Sequence, residues 1–473
     1  MLINKLTSTF GDHSNLIPLF TKDVVNSTGM TAFSYDAGGK IEAKDRFIDE
    51  FGTMAIWMGG LPFFKMAFDK SIYKLAKLSP DVDVRLLKDK EQLNAAQKYA
   101  ETLKNTNVAE TLNEVVKHTK KAQGLFLGKF ATATALTLAS FFTLVKVKQH
   151  YTKKEIEKQF WAKKSAQQQF NSNFAQSPAF KAFAMNGTNA PKADKNVSFK
   201  GLGNTLSSFM FNPVKNLFIV DAGITGERLV ASRTKTEFAE NAIKEGSLLF
   251  FLYIAGSYVQ KGIEKLSEKM GKPIGLHAEV LSSSYMKDSI ESGKVNADTA
   301  KVKDLIKAVK TAKENNNNTK QLSEAKKALF EFIYSEKAQE NTVVKAAKHS
   351  GTIKTIIKGN WFDKLTGKAK NTHKIDPHQF ISIGDLEAIA DDISKLTTEA
   401  KKHKDLSTFL KKCRNMKIGS VAANMGITCL FLGLIVPYSM MKYREKHQNG
   451  KKEFHVQSEI EKQLEQNFKG RIA

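Results

Sequence analysis

Two arginine–glutamate pairs have the spacing best suited to chemistry. Arg46 and Glu50, and again Arg233 and Glu237, stand four residues apart. On a helix that spacing brings opposite charges together on one face. Such a pair fixes a conformation, and at a membrane border it can also serve gating or transport. The conformational role is the expectation. His373, Asp376 and His378 form the run H-K-I-D-P-H, and these residue types ligate zinc. No third strong ligand stands at a helical offset, so a polar turn is expected. Asp81 and Asp83 offer two carboxylates for acid/base work but no partner base, and they read as a solvated turn. The chain has no G-x4-G-K-[ST], H-E-x-x-H or G-x-S-x-G, and Gly201-Leu202-Gly203 lacks the third glycine of a dinucleotide fingerprint. No catalytic, cofactor or metal site is therefore expected. Asn26-Ser27-Thr28, Asn186-Gly187-Thr188 and Asn196-Val197-Ser198 fit the glycosylation pattern, which is short and common by chance.

The elements that must position these pairs are apolar blocks. Ile418 to Met441 contains no charged residue, and Lys417 and Lys442 close its two ends. At 1.5 Å per residue that run suits a hydrocarbon core of roughly 30 Å. Leu125 to Val145 is interrupted only by Lys129, placed near enough to the end to snorkel. Two weaker blocks, about 51–68 and 246–260, are short for a span and are expected to be membrane-embedded. The 473 residues are only 41% hydrophobic, a soluble average that hides this blockwise distribution. The formal charge of +25 points to an anionic partner, either membrane headgroups or nucleic acid. Two cysteines, Cys413 and Cys429, exclude a disulfide scaffold. The opening residues predict no cleavable signal peptide.

The weak blocks align without gaps. Arg46, Glu50, Phe51, Ala55, Ile56, Gly59, Leu61, Phe63 and Phe64 fall on Arg233, Glu237, Phe238, Ala242, Ile243, Gly246, Leu248, Phe250 and Phe251. Upstream, Asn4 to Ser8 resembles Asn204 to Ser208, and Thr28-Gly29 resembles Thr225-Gly226. Downstream, Glu155 to Phe160 repeats as Glu459 to Leu464, and F-K-G recurs at Phe199 to Gly201 and Phe468 to Gly470. The expected organisation is two tandem repeats, 1–203 and 204–473. Each has one strong transmembrane helix (125–145 and 418–441) and one shorter embedded helix (51–68 and 246–260). The expected fold class is therefore an all-α integral membrane protein. Gly59 and Gly246 should mark equivalent points of close helix approach.

Variable inserts separate the helices of each repeat. Leu93, Ala96, Ala100 and Leu103 predict a helical hairpin with Leu112, Val115 and Val116. The larger insert, 262–417, carries one-sided stripes at Val302, Leu305, Ile306 and Val309, at Leu322, Ala325, Leu329 and Phe332, and at Leu386, Ile389, Ile393 and Leu396. It reads as a soluble helical unit, at 283–405 at least, and offers a face to a protein partner. Residues 165–203, rich in Gln, Asn, Ser and Ala, read as a disordered linker.

The R-x3-E-F helix, Val220 to Arg228 (V-D-A-G-I-T-G-E-R), Ser79 to Leu87 (S-P-D-V-D-V-R-L-L) and V-S-F-K-G at Val197 to Gly201 resemble a family of multi-copy membrane proteins from non-photosynthetic gut relatives of cyanobacteria. The resemblance implies bacterial origin and inner-membrane residence, and points to no activity. Function is thus expected to be structural, scaffolding or transport, with the lipid bilayer and its anionic headgroups as partner and no nucleic acid. A soluble basic helical protein that binds nucleic acid is the alternative. It leaves the uncharged 418–441 block unexplained. Lysines flank the blocks on both sides, so orientation is weakly specified. Near-identical tails favour four embedded helices with both termini cytoplasmic, at the cost of placing the basic insert outside.

Overall fold

A computed structural model describes residues 16–103, 106–171, 213–314, 319–358, 370–447 and 454–472. The fold is all-α, with 84% helix against 2% strand. The principal helices are α1 (Leu16–Ala55), α2 (Leu61–Phe68), α3 (Lys90–Thr102), α4 (Thr106–Lys117), α5 (Thr119–Asn171), α6 (Pro213–Val230), α7 (Lys235–Leu249), α8 (Gly256–Lys269), α9 (Lys294–Glu314), α10 (Thr319–Ile333) and α11 (Thr342–His349). Strands β1 (Thr355–Lys358) and β2 (Lys370–Ile375) pair antiparallel. Helices α12 (Ile383–Ala400), α13 (Leu406–Leu430), α14 (Val436–His447) and α15 (His455–Ile472) complete the order.

The described residues divide into two compact units. One lies within Met1–Asn26, Trp57–Thr137 and Ser247–Ile435, the other within Ser27–Ile56, Leu138–Gly246 and Val436–Ala473. Each unit thus draws on both halves of the chain.

In the first unit the two inserts share one core. Leu86, Ala96, Ala100, Leu112 and Val115 pack in the same cluster as Val302, Ile306, Leu329, Leu386, Ile393 and Leu396. The helical stripes read from the sequence are thus packing faces, and 283–405 does not close its core alone. Polar contacts cross between the inserts. Lys326 donates to Asp89 at 2.9 Å and Ser323 to Glu91 at 2.7 Å. Asp89 also caps α3 and Asp405 caps α13, each accepting from a backbone N–H of the first turn.

Prolines and glycines shape the apolar helices. Of four π-helical turns among the described residues, Ile56–Gly60, Phe250–Ala255 and Phe431–Ile435 continue directly into α2, α8 and α14, and Asp69–Tyr73 follows α2. Pro62 and Pro437 lie just beyond two of them. A proline cannot donate to the carbonyl four residues back, and the wider π turn absorbs that break. Gly39, at φ 75° and ψ −163°, kinks α1 where a side chain would be strained.

Helix α5 runs through the Leu125–Val145 block, and α13 continues through its π turn into α14 across Ile418–Met441. These two runs are long and apolar enough to cross a membrane. Of the apolar window, 22% is buried in the first and 33% in the second. The Lys129 ammonium bonds Asp69 at 2.6 Å.

The Asn4–Ser8 and Asn204–Ser208 matches, the F-K-G at Phe199–Gly201 and most of the 165–203 linker lie outside the described residues.

Candidate functional site

Both arginine–glutamate pairs enter one buried ion network in the second unit. Along α1, Glu42, Asp45, Arg46, Asp49 and Glu50 are all buried, at alternating steps of three and one residues that keep them on one helix face. Along α7, Glu237, Glu240, Asn241, Lys244 and Glu245 are buried at the same steps. Helix α5 adds Lys148 and Thr152, α6 adds Glu227 and Arg228, and α14 adds Arg444. Arg233 sits in the break between α6 and α7.

The pairing is mutual. Arg444 binds two carboxylates at once. Its Nη1 and Nη2 donate to Glu42 at 2.7 Å each, and its Nε and Nη2 donate to Glu240 at 2.7 and 2.8 Å. Arg228 pairs with Glu245, reaches Asp49 at 3.4 Å and donates to Thr53 Oγ1 at 3.0 Å. Lys244 lies between Glu50 and Glu245. Arg233 pairs with Glu237 at 2.7 Å and with Asp45 at 3.0 Å, and Thr152 donates to Asp45 at 2.5 Å. Lys148 approaches Asp49 at 3.5 Å. Arg46 is the looser member, 3.9 Å from both Glu50 and Glu240.

Burying so many charges is costly unless each is paired and hydrogen-bonded. Here bidentate arginines meet that requirement. The electrostatics follow. Burial opposes ionisation of Asp49, but Arg228, Lys148, Lys244 and Arg46 together hold its carboxyl well below the usual range. Glu227 goes the other way: burial and the neighbouring Asp49 push it up to about 7, and Oε1 has no hydrogen-bond partner. Among the described residues the network holds eight carboxylates against six cations. A carboxyl that keeps its proton near neutrality relieves part of that excess. The carboxylates are committed to the arginines and lysines that bridge them, so the arrangement serves to hold five helices and a turn in fixed relation.

Gly59 and Gly246 do not behave as expected. A Cβ built on either meets nothing within 4 Å, so neither marks a close helix approach. Close approach occurs at other glycines. A Cβ at Gly52 would meet the Leu144 side chain at 2.8 Å, and one at Gly223 would meet Leu138 at 2.6 Å. The two R-x3-E-F segments also differ locally: Arg46 lies mid-helix, whereas Arg233 precedes its helix and donates its backbone N–H back to Glu237.

The other sequence candidates resolve into structural contacts. His378 faces Asp376 at 3.3 Å and the Val108 carbonyl at 3.0 Å, while His373 lies on β2 with φ 57°. Asp83 pairs with Arg85 at 2.6 Å. Among the described residues, no three His, Cys, Asp or Glu side chains converge as a metal cluster. A cavity of about 280 Å³ in the first unit is lined by Glu264, His277, Ser350, Thr352, Asp392 and Lys417. Asp392 is pushed up to about 6 by burial, and its carboxylate occupies the place a Cβ on Gly275 would take.

Ten network residues were missed in the sequence: Glu42, Asp45, Asp49, Lys148, Glu227, Arg228, Glu240, Lys244, Glu245 and Arg444. A signal existed. The three-and-one spacing along 42–50 and 237–245 is the period of a core stripe, written in charged residues except for Asn241. In addition, Lys148 and Arg444 close K-x-K and K-x-R runs directly after the strong apolar blocks.

Comparison with protein-family profiles, with curated proteins and with solved structures finds no match to this chain.

Proposed function

We propose that this chain is a multi-pass integral membrane protein with a structural or scaffolding role, resident in a bacterial inner membrane. One observation carries the reading: two long helical runs, uncharged except for Lys129, turn apolar side chains outward. Leu127, Leu136 and Phe142 on α5, Ile427 and Leu430 on α13 and Leu434 in the following π turn are each at least 39% exposed. Large exposed apolar surface of this kind is tolerated against lipid, not against water. The +25 charge then suits anionic headgroups.

The ion network favours scaffolding over transport, because arginine bridges hold helices together instead of leaving a hydrated path between them. We also read the halves as tandem repeats. Supporting this, both R-x3-E-F segments join the network, and the cation following each strong block, Lys148 or Arg444, supplies part of it. The large insert remains the proposed surface for a protein partner.

A carbonate wash of the membrane fraction tests the reading. The protein should stay with the bilayer; release into the soluble phase would overturn it in favour of a basic soluble protein. Reporter fusions after residues 100, 180, 330 and 473 would then assign the sides.

A further inference from the structure

The ion network leaves unused the cavity of about 280 Å³ in the first unit, a volume that suits a small molecule. Helix α12 forms one wall of it. Asp385, Ala388, Ile389 and Asp392 line the cavity, and their steps of three, one and three residues put them on a single helix face. The wall is thus acidic at its two ends and apolar between them. Asp385 and Asp392 stand two turns apart, roughly 10 Å along the helix axis. Leu276, Val280 and Ala346 add further apolar lining.

The charges around the cavity do not cancel. Glu264 of α8 is already committed, accepting from Lys417 of α13 at 3.0 Å and from Gln260 at 2.9 Å. The Ser350 and Thr352 hydroxyls lie 3.1 Å apart, and His277 Nδ1 accepts the Glu279 backbone N–H at 3.3 Å. Asp392 is less well matched. The cation within reach is Lys395 on its own helix, at 3.9 Å, and that ammonium is bound to Glu268 at 2.8 Å. Burial, reinforced by Glu264 and Glu268 of α8 and opposed by Lys395 and Lys417, pushes the Asp392 carboxyl up to about 6. Asp385 is exposed at the rim and forms no ion pair among the described residues. With all groups in their neutral-pH forms the lining holds three carboxylates, Glu264, Asp385 and Asp392, against the one ammonium of Lys417. Two negative charges are left without a counterion.

We propose that this cavity binds a linear aliphatic diamine, with one ammonium on Asp392, the other on Asp385 and the methylenes along Ala388 and Ile389. The excess of two negative charges calls for a dication. The separation of the carboxylates puts its charges at opposite ends, and the apolar stretch between them calls for a hydrocarbon linker. A compact metal dication meets neither condition: it cannot reach both carboxylates, and among the described residues no three His, Cys, Asp or Glu side chains converge on one point. The proposal does not depend on the membrane reading, since every group it uses belongs to the 262–417 insert.

The test is calorimetric titration and thermal unfolding of the full chain in non-ionic detergent, at a pH well above the Asp392 value of about 6. Cadaverine is the probe, with pentylamine and magnesium as controls. Cadaverine should bind and raise the melting temperature, because a ligand bound only by the folded state stabilises it. Pentylamine, with one ammonium, should bind about tenfold more weakly or worse. Asp392→Asn and Asp385→Asn should each bring cadaverine down to the pentylamine level. Asp385 is exposed, so its variant keeps the test open if Asp392→Asn fails to fold. Ala388→Phe, which fills the middle of the wall, should block binding. Failure of cadaverine to bind would overturn the proposal, as would equal binding of pentylamine or an unchanged affinity in Asp385→Asn. Equal stabilisation by magnesium would overturn it too, by reducing the effect to neutralisation of surface charge.

Discussion

Replacing Arg444 by Met keeps an unbranched apolar stem and removes the guanidinium that bridges Glu42 and Glu240. Those carboxylates are 1% and 0% exposed, and four charge-assisted hydrogen bonds of 2.7–2.8 Å end on them. After the substitution both stay buried, with Arg46, 3.9 Å from Glu240, as a distant second cation. Breaking a buried pair from one side costs about 3–5 kcal/mol, mostly the cost of the stranded charge. For a unit of this size each kcal/mol lowers the melting point by about 2–4 °C, so a drop of roughly 6–20 °C is expected. Circular dichroism at the helical band in detergent would read it. The stranded carboxyls should rise in pKa, and a raised folded-state carboxyl contributes its stability at low pH. The deficit of Arg444→Met should therefore shrink as pH falls from 7 toward 5. Adding Glu42→Gln should recover at least about 1 kcal/mol, because it removes one of the two uncompensated charges. A melting point within about 2 °C of wild type, or strictly additive effects, would refute the reasoning that the network carries the stability of this unit.

Glu227 gives a pH test. Its carboxyl normally sits near 4.5 and is raised to about 7 in the fold. Its contribution is complete below about 4.5 and is lost as pH rises through 7. Glu227→Gln should flatten that fall and leave the protein more stable than wild type at pH 8, by about 1–2 kcal/mol in chemical denaturation. Leu434, 54% exposed, is the position for a membrane test, since the neighbouring Leu432 is fully buried. Leu434→Lys should cost about 2.5–3.5 kcal/mol in an insertion assay, and normal insertion would refute the span. Gly59→Ala and Gly246→Ala, with open space at the Cβ, should be neutral or mildly stabilising by up to about 1 kcal/mol in melting experiments. Gly433→Ala forces Val25 aside and should cost about 1–3 kcal/mol by the same measurement. Residues 283–405 expressed alone should melt without cooperativity, and addition of 69–123 should restore a cooperative transition, because the two share a core.

Local pattern made much of the helical architecture legible. A stripe such as Val302, Ile306 and Val309 has the period of one helix face whatever covers it, and those residues are buried as that period requires. The uncharged runs after Lys129 and Lys417 likewise announce their helices through length and composition. The Arg/Glu spacing identified four members of the ion network, since an i, i+4 relation is local. The short hairpin of β1 and β2 was not read, because four to six residues carry too little period-2 signal.

What stayed hidden depends on partners far apart in the chain. Charged residues at core spacing read as a solvated face until α1, α6, α7 and α14 supply cations and carboxylates to one another across 204 and 402 residues of sequence, as for Arg444 with Glu240 and Glu42. The glycines show the same division. Sequence places Gly59 and Gly246 in register, but whether a glycine admits a neighbour is decided by what stands opposite, and Gly52, Gly223 and Gly433 have a side chain there where Gly59 and Gly246 have none. The merger of both inserts into a single core was equally invisible, because each stripe specifies that it must be covered and not by what. Amino-acid order alone determined helix class, the two candidate spans and the positive charge, all of which follow from composition and short-range period. Tertiary structure decided which charges are buried, because the free energy of a buried charge is set by the groups around it and not by its place in the chain.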